Sequence, residues 1–599
     1  MKPLSTSTPQ ALLAHWQAAW PQALAIWSRY TRLQHPQLCE SRVEAAAQGL
    51  DGSFAMIRLK DQRIVIDLQA VTALQLQDHA VEILAHEIGH HVLVPGSMTD
   101  HLRMLARIRA GLPTLEHLAP MVANLYADLL INDRLQRQEG LRLADIYRRL
   151  AGDRAPGSQA AASQVWNLYL RICEHLWKLP RGSLGAVATD PRIDGDAWLG
   201  ARLVRVYATN WLAGAGSFAA LLLPYLVADA ERAEQGAVRH LLDTLGAGEG
   251  CEPFGGLEID DDESHVTHPS GDPAVTGDGA EPDASRPASP TGAALPSAGP
   301  TGQLREPFDY GELLRAAGLQ VDDHEAAVRY YRERALPWLV PLPRRARPDR
   351  PQPQLEGLDP WEIGDPVDAL DALQSVLLSP RVIPGLTTVR RHFGREPGRA
   401  PVRSPVDLDL YVDSSGSMPN PQQRISYMSL AGAVIALSAL RSGARVQVTL
   451  WSGKQQVMHT PGFVRDEQAV LRILTGFYGG ATAFPIHRLR ETHLDGRRRE
   501  RPVHLLMISD DGITTMFDRD ELGNDGWDIS ARALATAGGG GSMALQLSSG
   551  WDRVESIGTY APYRDLERAR REQDWAISAI SNLEDLLEFA RSFSRRHYA

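Results

Sequence analysis

Between residues 247 and 304 the composition changes abruptly, and that change forbids a single fold for the whole chain. Gly, Pro, Ser, Ala, Asp and Glu dominate the stretch, Arg286 is its only Lys or Arg, and Asp260 to Glu263 form an acidic block. Such a segment cannot bury enough apolar surface to offset the entropy of ordering it, so it reads as a disordered linker. The 599 residues are in any case too many for one hydrophobic core. The expectation is a multidomain protein with folded parts on both sides of the linker.

The part before the linker carries His86-Glu87-Ile88-Gly89-His90. Ala80, Val81, Leu84, Ala85, Ile88 and Val92 keep one helical stripe apolar, and Pro95-Gly96 supplies a stop. On a helix the two imidazoles, four residues apart, lie along one face and can share a tetrahedral Zn²⁺. Glu87 then stands beside the site as a general base. A third ligand is required. Leu93 and Gly96 occupy the places where a continuation of the motif would put its Gly and third His. The better source lies downstream, where Asn124, Asp128 and Asn132 recur every four residues through an otherwise apolar run. A polar stripe in such a helix is costly to bury without a partner, and a metal site is one. Asp128 is the expected third ligand, with Asn124 and Asn132 orienting the ligands. His101 and Asp133 are the alternatives, and His91 and His79 read as surface or supporting groups. A hairpin over residues 54–68 precedes the helix and is a candidate strand for holding an extended peptide.

The part after the linker carries Asp413-Ser414-Ser415-Gly416-Ser417, following the strand-like run Val406 to Val412 and preceding a helix-like stretch from Gln422 to Leu440. Asp413, Ser415 and Ser417 offer hard oxygens at alternate positions of a strand-to-helix turn, which suits Mg²⁺. Two more loops belong with it, Gly479-Gly480-Ala481-Thr482 and Ser509-Asp510-Asp511-Gly512 after the apolar run Val503 to Met507.

Together these three motifs resemble the metal-ion-dependent adhesion site of the von Willebrand factor A (vWA) family, over residues 401–599. The resemblance implies a doubly wound, Rossmann-like α/β domain. In it Asp413, Ser415, Ser417, Thr482 and Asp510 would surround Mg²⁺, and an acidic side chain of a protein partner would complete the coordination. Which of Asp510 and Asp511 turns inward is left open. Residues 50–140 also resemble bacterial proteins that join a zinc metallopeptidase-like, zincin-type domain to a C-terminal vWA-like domain. Relatives of that kind work with MoxR-type AAA+ ATPases. The chain has no phosphate-binding GxxxxGK[ST] loop, so the resemblance implies that any ATP-driven step belongs to a partner.

The expected organisation is an α+β zincin-like domain at 1–150, a helical extension at 151–246, the linker at 247–304, a helical and Pro-rich connector at 305–400, and the vWA domain at 401–599. The tryptophans at 16, 20 and 27, and those at 166, 177, 198 and 211, read as core anchors. A net charge of −11 argues against nucleic acid as a partner. Three scattered cysteines, no secretory leader, and an apolar run (218–227) broken by Pro224 point to a cytoplasmic protein with no membrane partner. Two functions are compatible with these residues. One is a peptidase cleaving protein or peptide substrates. The other is a vWA adaptor for an AAA+ ATPase in complex assembly or remodelling, with a vestigial metal site. A metal-insertion factor resembling chelatase vWA subunits is a third, for which no porphyrin-specific feature is present.

Overall fold

The computed structural model describes residues 9–27, 33–50, 53–58, 63–152, 163–185, 192–231, 244–245, 256–259, 261–277, 303–341, 345–346, 352–396, 403–495, 501–548 and 550–598. The chain is a mixture of helices and sheets in two compact units, Met1–Arg334 with Pro421–Ile425, and the remainder from Ala335 to Ala599.

The first unit is mainly helical. Helix α1 (Pro9–Trp27) leads to strands β1 (Gln37–Cys39), β2 (Ala55–Arg58) and β3 (Arg63–Asp67). Helices α2 (Ala80–Val92), α3 (Met98–Ala110), α4 (Ala119–Arg137), α5 (Leu143–Gly152), α6 (Gln164–Leu176), α7 (Arg192–Val206) and α8 (Trp211–Glu231) follow, and β4 (Thr244–Leu245) closes a small sheet of order β1-β3-β2-β4. Both strands of the expected hairpin are therefore internal, β3 pairing with β1 and β2 with β4. That pairing takes up Ile57 and Arg58 of β2 and Val65 to Asp67 of β3, part of the edges an extended peptide would use. Helix α4 is buried on every side from Met121 to Asp133, as a helix apolar nearly all round must be. Trp16, Trp20 and Trp27 are core residues as expected, whereas Trp198 is 45% exposed with the Arg202 guanidinium stacked on it. Helix α8 runs through Pro224 and, by length and composition alone, could cross a membrane. Yet 56% of its apolar window is buried, with Phe218 against Tyr126.

The linker expectation fails in its middle. Residues 256–277 carry β5 (Glu258–Ile259), which pairs antiparallel with β6 (Gln303–Leu304), and Leu257 and Val275 are buried. Glu263, from the acidic block, is buried in an ion pair with Arg305, which also donates to the carbonyls of Gly256 and Glu258. Composition misses this because one buried ion pair and two apolar side chains suffice once helices α7 and α8 supply the surface. The rest of the expected linker lies outside the described residues. Helices α9 (Pro307–Ala316) and α10 (Asp323–Ala335) complete this region.

In the second unit an antiparallel pair, β7 (Gln352–Pro360) and β8 (Val389–Glu396), flanks the short helix α11 (Ala372–Leu378). A six-stranded sheet follows, built from β9 (Asp407–Asp413), β10 (Val446–Trp451), β11 (Val457–His459), β12 (Val503–Ser509), β13 (Gly538–Leu545) and β14 (Ala576–Ala579). Its order is β11-β10-β9-β12-β13-β14, all parallel except β11. Helices α12 (Tyr427–Arg441), α13 (Glu467–Leu474) and α17 (Leu583–Tyr598) pack together on one face. Helices α14 (Ile486–His493), α15 (Gly526–Ala537) and α16 (Ala561–Gln573) cover the other over a core of Tyr411, Leu505, Met507 and Met543. Successive strands are added on one side of β9 and then on the other. The carboxyl ends of β9 and β12 thus flank the crevice where such sheets bind ligands.

Candidate metal centres

Two helices make the first site. Gly89 lets them meet, because a Cβ there would lie 2.6 Å from Ile131 Cγ2 on α4 and 2.8 Å from Trp27 Cζ2 on α1. Trp27 also donates its indole N–H to the Ala85 carbonyl at 2.7 Å, fixing α2 from the side. With α2 and α4 this close, His86 Nε2 and His90 Nε2 stand 3.3 Å apart, and Asp128 Oδ1 lies 3.6 and 3.3 Å from them. Ligands at 2.0–2.1 Å in a tetrahedron stand about 3.3 Å from one another, so the three atoms have the spacing of three corners of a zinc site. They are the one such group of His, Cys, Asp or Glu among the described residues.

The surroundings fix the direction of each lone pair. His90 Nδ1 donates to the Val94 carbonyl at 3.1 Å and His86 Nδ1 to Asn132 Oδ1 at 2.8 Å, which turns both Nε2 lone pairs toward the shared point. Asn124 Nδ2 donates to Asp128 Oδ2 at 3.2 Å and leaves Oδ1 facing the two rings without a hydrogen bond. Burial pushes the Asp128 carboxyl up to about 6, with His86 acting in the opposite sense. A desolvated carboxylate oxygen beside two imidazole nitrogens can be balanced by a proton or by a metal ion, and two imidazoles with one carboxylate are a donor set that zinc accepts. Glu87, on the same helix, is 1% exposed.

The alternatives separate cleanly. Asp133 is held bidentate by Arg137 at 2.7 Å on both oxygens and is not in the triad. His101 is buried behind His90, and burial followed by the His90 charge lowers its pKa to about 4. His79 is 1% exposed rather than a surface group, and burial lowers its pKa. The polar stripe of α4 is buried, with Asn124 at 5%, Asp128 at 7% and Asn132 at 2% exposure, so it is not a solvated face. Sequence reasoning missed Tyr147, whose hydroxyl accepts from Asn132 Nδ2 at 2.9 Å, and Tyr169, 2.9 Å beyond it. Nothing in the local sequence distinguishes either tyrosine from a core aromatic.

The second site is made of loops at the carboxyl ends of β9 and β12. Asp413 Oδ1 accepts from Ser415 N at 2.8 Å, and Ser415 Oγ lies 3.1 Å from Ser417 Oγ. Ser417 Oγ donates to Asp510 Oδ2 at 2.6 Å. Asp510 is therefore the inward carboxylate, and Asp511 instead accepts from the Tyr560 hydroxyl. The Gly480 carbonyl accepts from Gly416 N at 2.9 Å, drawing the 479–482 loop onto the first one. A Cβ on Gly512 would meet Thr482 Cγ2 at 2.5 Å and Asp510 Oδ1 at 2.8 Å, so Thr482 flanks Asp510. Asp413 is bonded to Ser415, Ser415 lies beside Ser417, and Ser417 is bonded to Asp510, with Thr482 beside Gly512 at their edge. Ser509, which donates to Asp413 Oδ2 at 2.6 Å, is an unforeseen member. Burial raises the Asp413 pKa, the Ser509 and Ser415 hydrogen bonds lower it, and the neighbouring Asp510 charge raises it further.

No protein-family model matches the chain, and no curated protein matches it either.

Proposed function

We propose that the first unit is a zinc-dependent metallopeptidase and the second a vWA-type module that binds Mg²⁺ and, through it, a protein partner. The observation that carries the first half is the triangle of His86 Nε2, His90 Nε2 and Asp128 Oδ1, at tetrahedral spacing with each lone pair aimed inward. His86, His90 and Asp128 would hold the ion, which would supply Lewis acidity to a water and to a carbonyl. Glu87 follows His86 directly in the chain and is not one of the ligands. Its carboxylate is the group assigned to take up the water proton and return it to the leaving amine. With their Nδ1 protons held by the Val94 carbonyl and by Asn132 Oδ1, and their Nε2 atoms committed to the ion, neither ring would compete with Glu87 for that proton.

The purified chain should contain one equivalent of zinc, and Glu87→Gln should retain it while peptide cleavage falls at least 100-fold. Zinc bound at full stoichiometry with no cleavage of any peptide or protein by the wild type favours the second reading, a vWA adaptor serving an AAA+ ATPase. The grouping of Asp413, Ser415, Ser417 and Asp510, with Thr482 at its edge, supports that reading too, since hard oxygens around an open position suit Mg²⁺ and a partner carboxylate. A cytoplasmic location is part of both readings.

A further inference from the structure

The two histidines of the triad are not fixed in the same way. His90 Nδ1 faces a main-chain carbonyl, which can only accept, so its proton sits on Nδ1 and its Nε2, turned toward His86 Nε2 and Asp128 Oδ1, presents its lone pair. His86 Nδ1 faces the side-chain amide of Asn132, and an amide has an accepting end and a donating end. If Asn132 presented its NH₂, His86 would have to carry its proton on Nε2, in the middle of the metal position. Something must choose the amide's orientation.

The choice passes outward along a chain of hydrogen bonds. Asn132 Nδ2 lies 2.9 Å from the Tyr147 hydroxyl, and that hydroxyl lies 2.9 Å from the hydroxyl of Tyr169. A phenol has one proton. If Tyr147 gives its proton to Tyr169, its oxygen accepts from Asn132 Nδ2, Asn132 Oδ1 faces His86, and the ring is ready for metal. If Tyr169 donates to Tyr147 instead, Tyr147 donates inward, the amide turns over, and Nε2 of His86 is capped by a proton. The same heavy atoms thus support two proton polarities, and only one binds zinc. Tyr169 is 2% exposed, its ring stacked on Trp166 with centroids 5.1 Å apart, and the partly buried Tyr147 packs against Trp177 at 5.8 Å, so packing holds both phenols beside Asn132.

We propose that Tyr147 and Tyr169 are positioning residues that set the metal-competent tautomer of His86 through Asn132. The inference rests on the zinc reading of that site. Tyr169 lies on a helix of the segment read from sequence as a mere extension, which gives that segment a part in the metal chemistry.

The test is zinc affinity of the full chain, measured by competition with a chromophoric chelator, for Tyr147→Phe, Tyr169→Phe, Asn132→Asp and Asn132→Asp combined with Tyr147→Phe. Each tyrosine variant should bind zinc about 10-fold more weakly than wild type, the lower end of what supporting hydrogen bonds contribute. The carboxylate introduced by Asn132→Asp only accepts, so it holds the Nδ1 proton without help. Adding Tyr147→Phe to that variant should change affinity less than 2-fold. Tyr225→Phe removes a buried phenol of the same unit, one bonded to Asp196, and should leave affinity unchanged. In the metal-free protein labelled with ¹⁵N-histidine, the tyrosine variants should shift His86 toward the Nε2-protonated form. Wild-type affinity in both tyrosine variants overturns the proposal. So does a loss from Tyr147→Phe that is equally large with and without Asn132→Asp, which would mark a packing defect. A folded wild type that binds no zinc defeats the zinc reading itself.

Discussion

The two candidate centres differ in what holds them. The triad of the first unit is built on two helices buried against each other, with its ring nitrogens directed by hydrogen bonds on their far sides. The oxygen cluster of the second unit is built on loops, with Ser417 exposed and its hydroxyls bonded to one another and to Asp510. In the first, the desolvation of Asp128 is built into the fold whether or not a cation is present. In the second, the donors bond to one another, and of the five Ser417 is the one that is exposed. A buried, directed set of soft and hard donors suits a resident ion and chemistry. A set of hard oxygens that is buried at Asp413 and Ser415 but reaches the surface at Ser417 suits an ion that exchanges and a partner that arrives.

The sharpest way to break this contrast is to remove the rings. His86→Ala with His90→Ala should abolish stoichiometric zinc altogether, by metal analysis, while Mg²⁺ binding to the second unit stays as it was. Persistence of full zinc in that variant would falsify the assignment. Ser417→Ala deletes an exposed hydroxyl, and calorimetric titration should show Mg²⁺ affinity falling about 10-fold or more with zinc content intact. Unfolding should change by less than about 1 kcal/mol, because the buried strands and helices hold that unit.

A third measurement uses pH. In metal-free protein the Asp128 carboxyl titrates at about 6 instead of its ordinary 3.8, so the folded state binds its proton more tightly than the unfolded state. That contribution is fully present below about 4 and disappears as pH rises through 6, a loss of about 2–3 kcal/mol. Denaturant unfolding should show that loss in the difference between wild type and Asp128→Asn, because the lowered His101 pKa makes stability rise with pH over the same range. A difference that stays flat from pH 4 to 7 would count against the site's built-in desolvation. The smallest effect is at Gly89, where Ala would force Ile131 and Trp27 to move. Gly89→Ala should cost about 1–3 kcal/mol and weaken zinc without touching Mg²⁺.

Much of both sites was legible in the chain. The four-residue spacings of His86/His90 and of Asn124/Asp128/Asn132 are helix-face statements, and two such faces of opposite need have few ways to satisfy each other except together. The oxygen motifs were legible for a similar reason, since two of the three follow an apolar strand run. What was not legible came from tertiary contact. Asp407 and Asp409 alternate with apolar residues as on a half-exposed strand, yet all of β9 is buried, with Asp407 paired to Arg445 and Asp409 to His493. The strands β7 and β8 are hidden by Pro353, Pro360 and an arginine-rich composition. The choice between Asp510 and Asp511 depended on Tyr560, 49 residues beyond Asp511 in sequence.

The Trp27 indole bonded to Ala85 bears on the order in which the protein can be made. Synthesis delivers α1 first, then both imidazoles, then Asp128 thirty-eight residues after His90, and only later Tyr147 and Tyr169. A nascent chain therefore displays two histidines on a braced helix well before it has the carboxylate that completes the triad. If the site takes up an ion, one captured at that stage would have two of the three donors and would exchange freely. Lasting occupancy would begin only when α4 has packed against Gly89, and the finished helical unit, not the motif, would be the species that selects the metal.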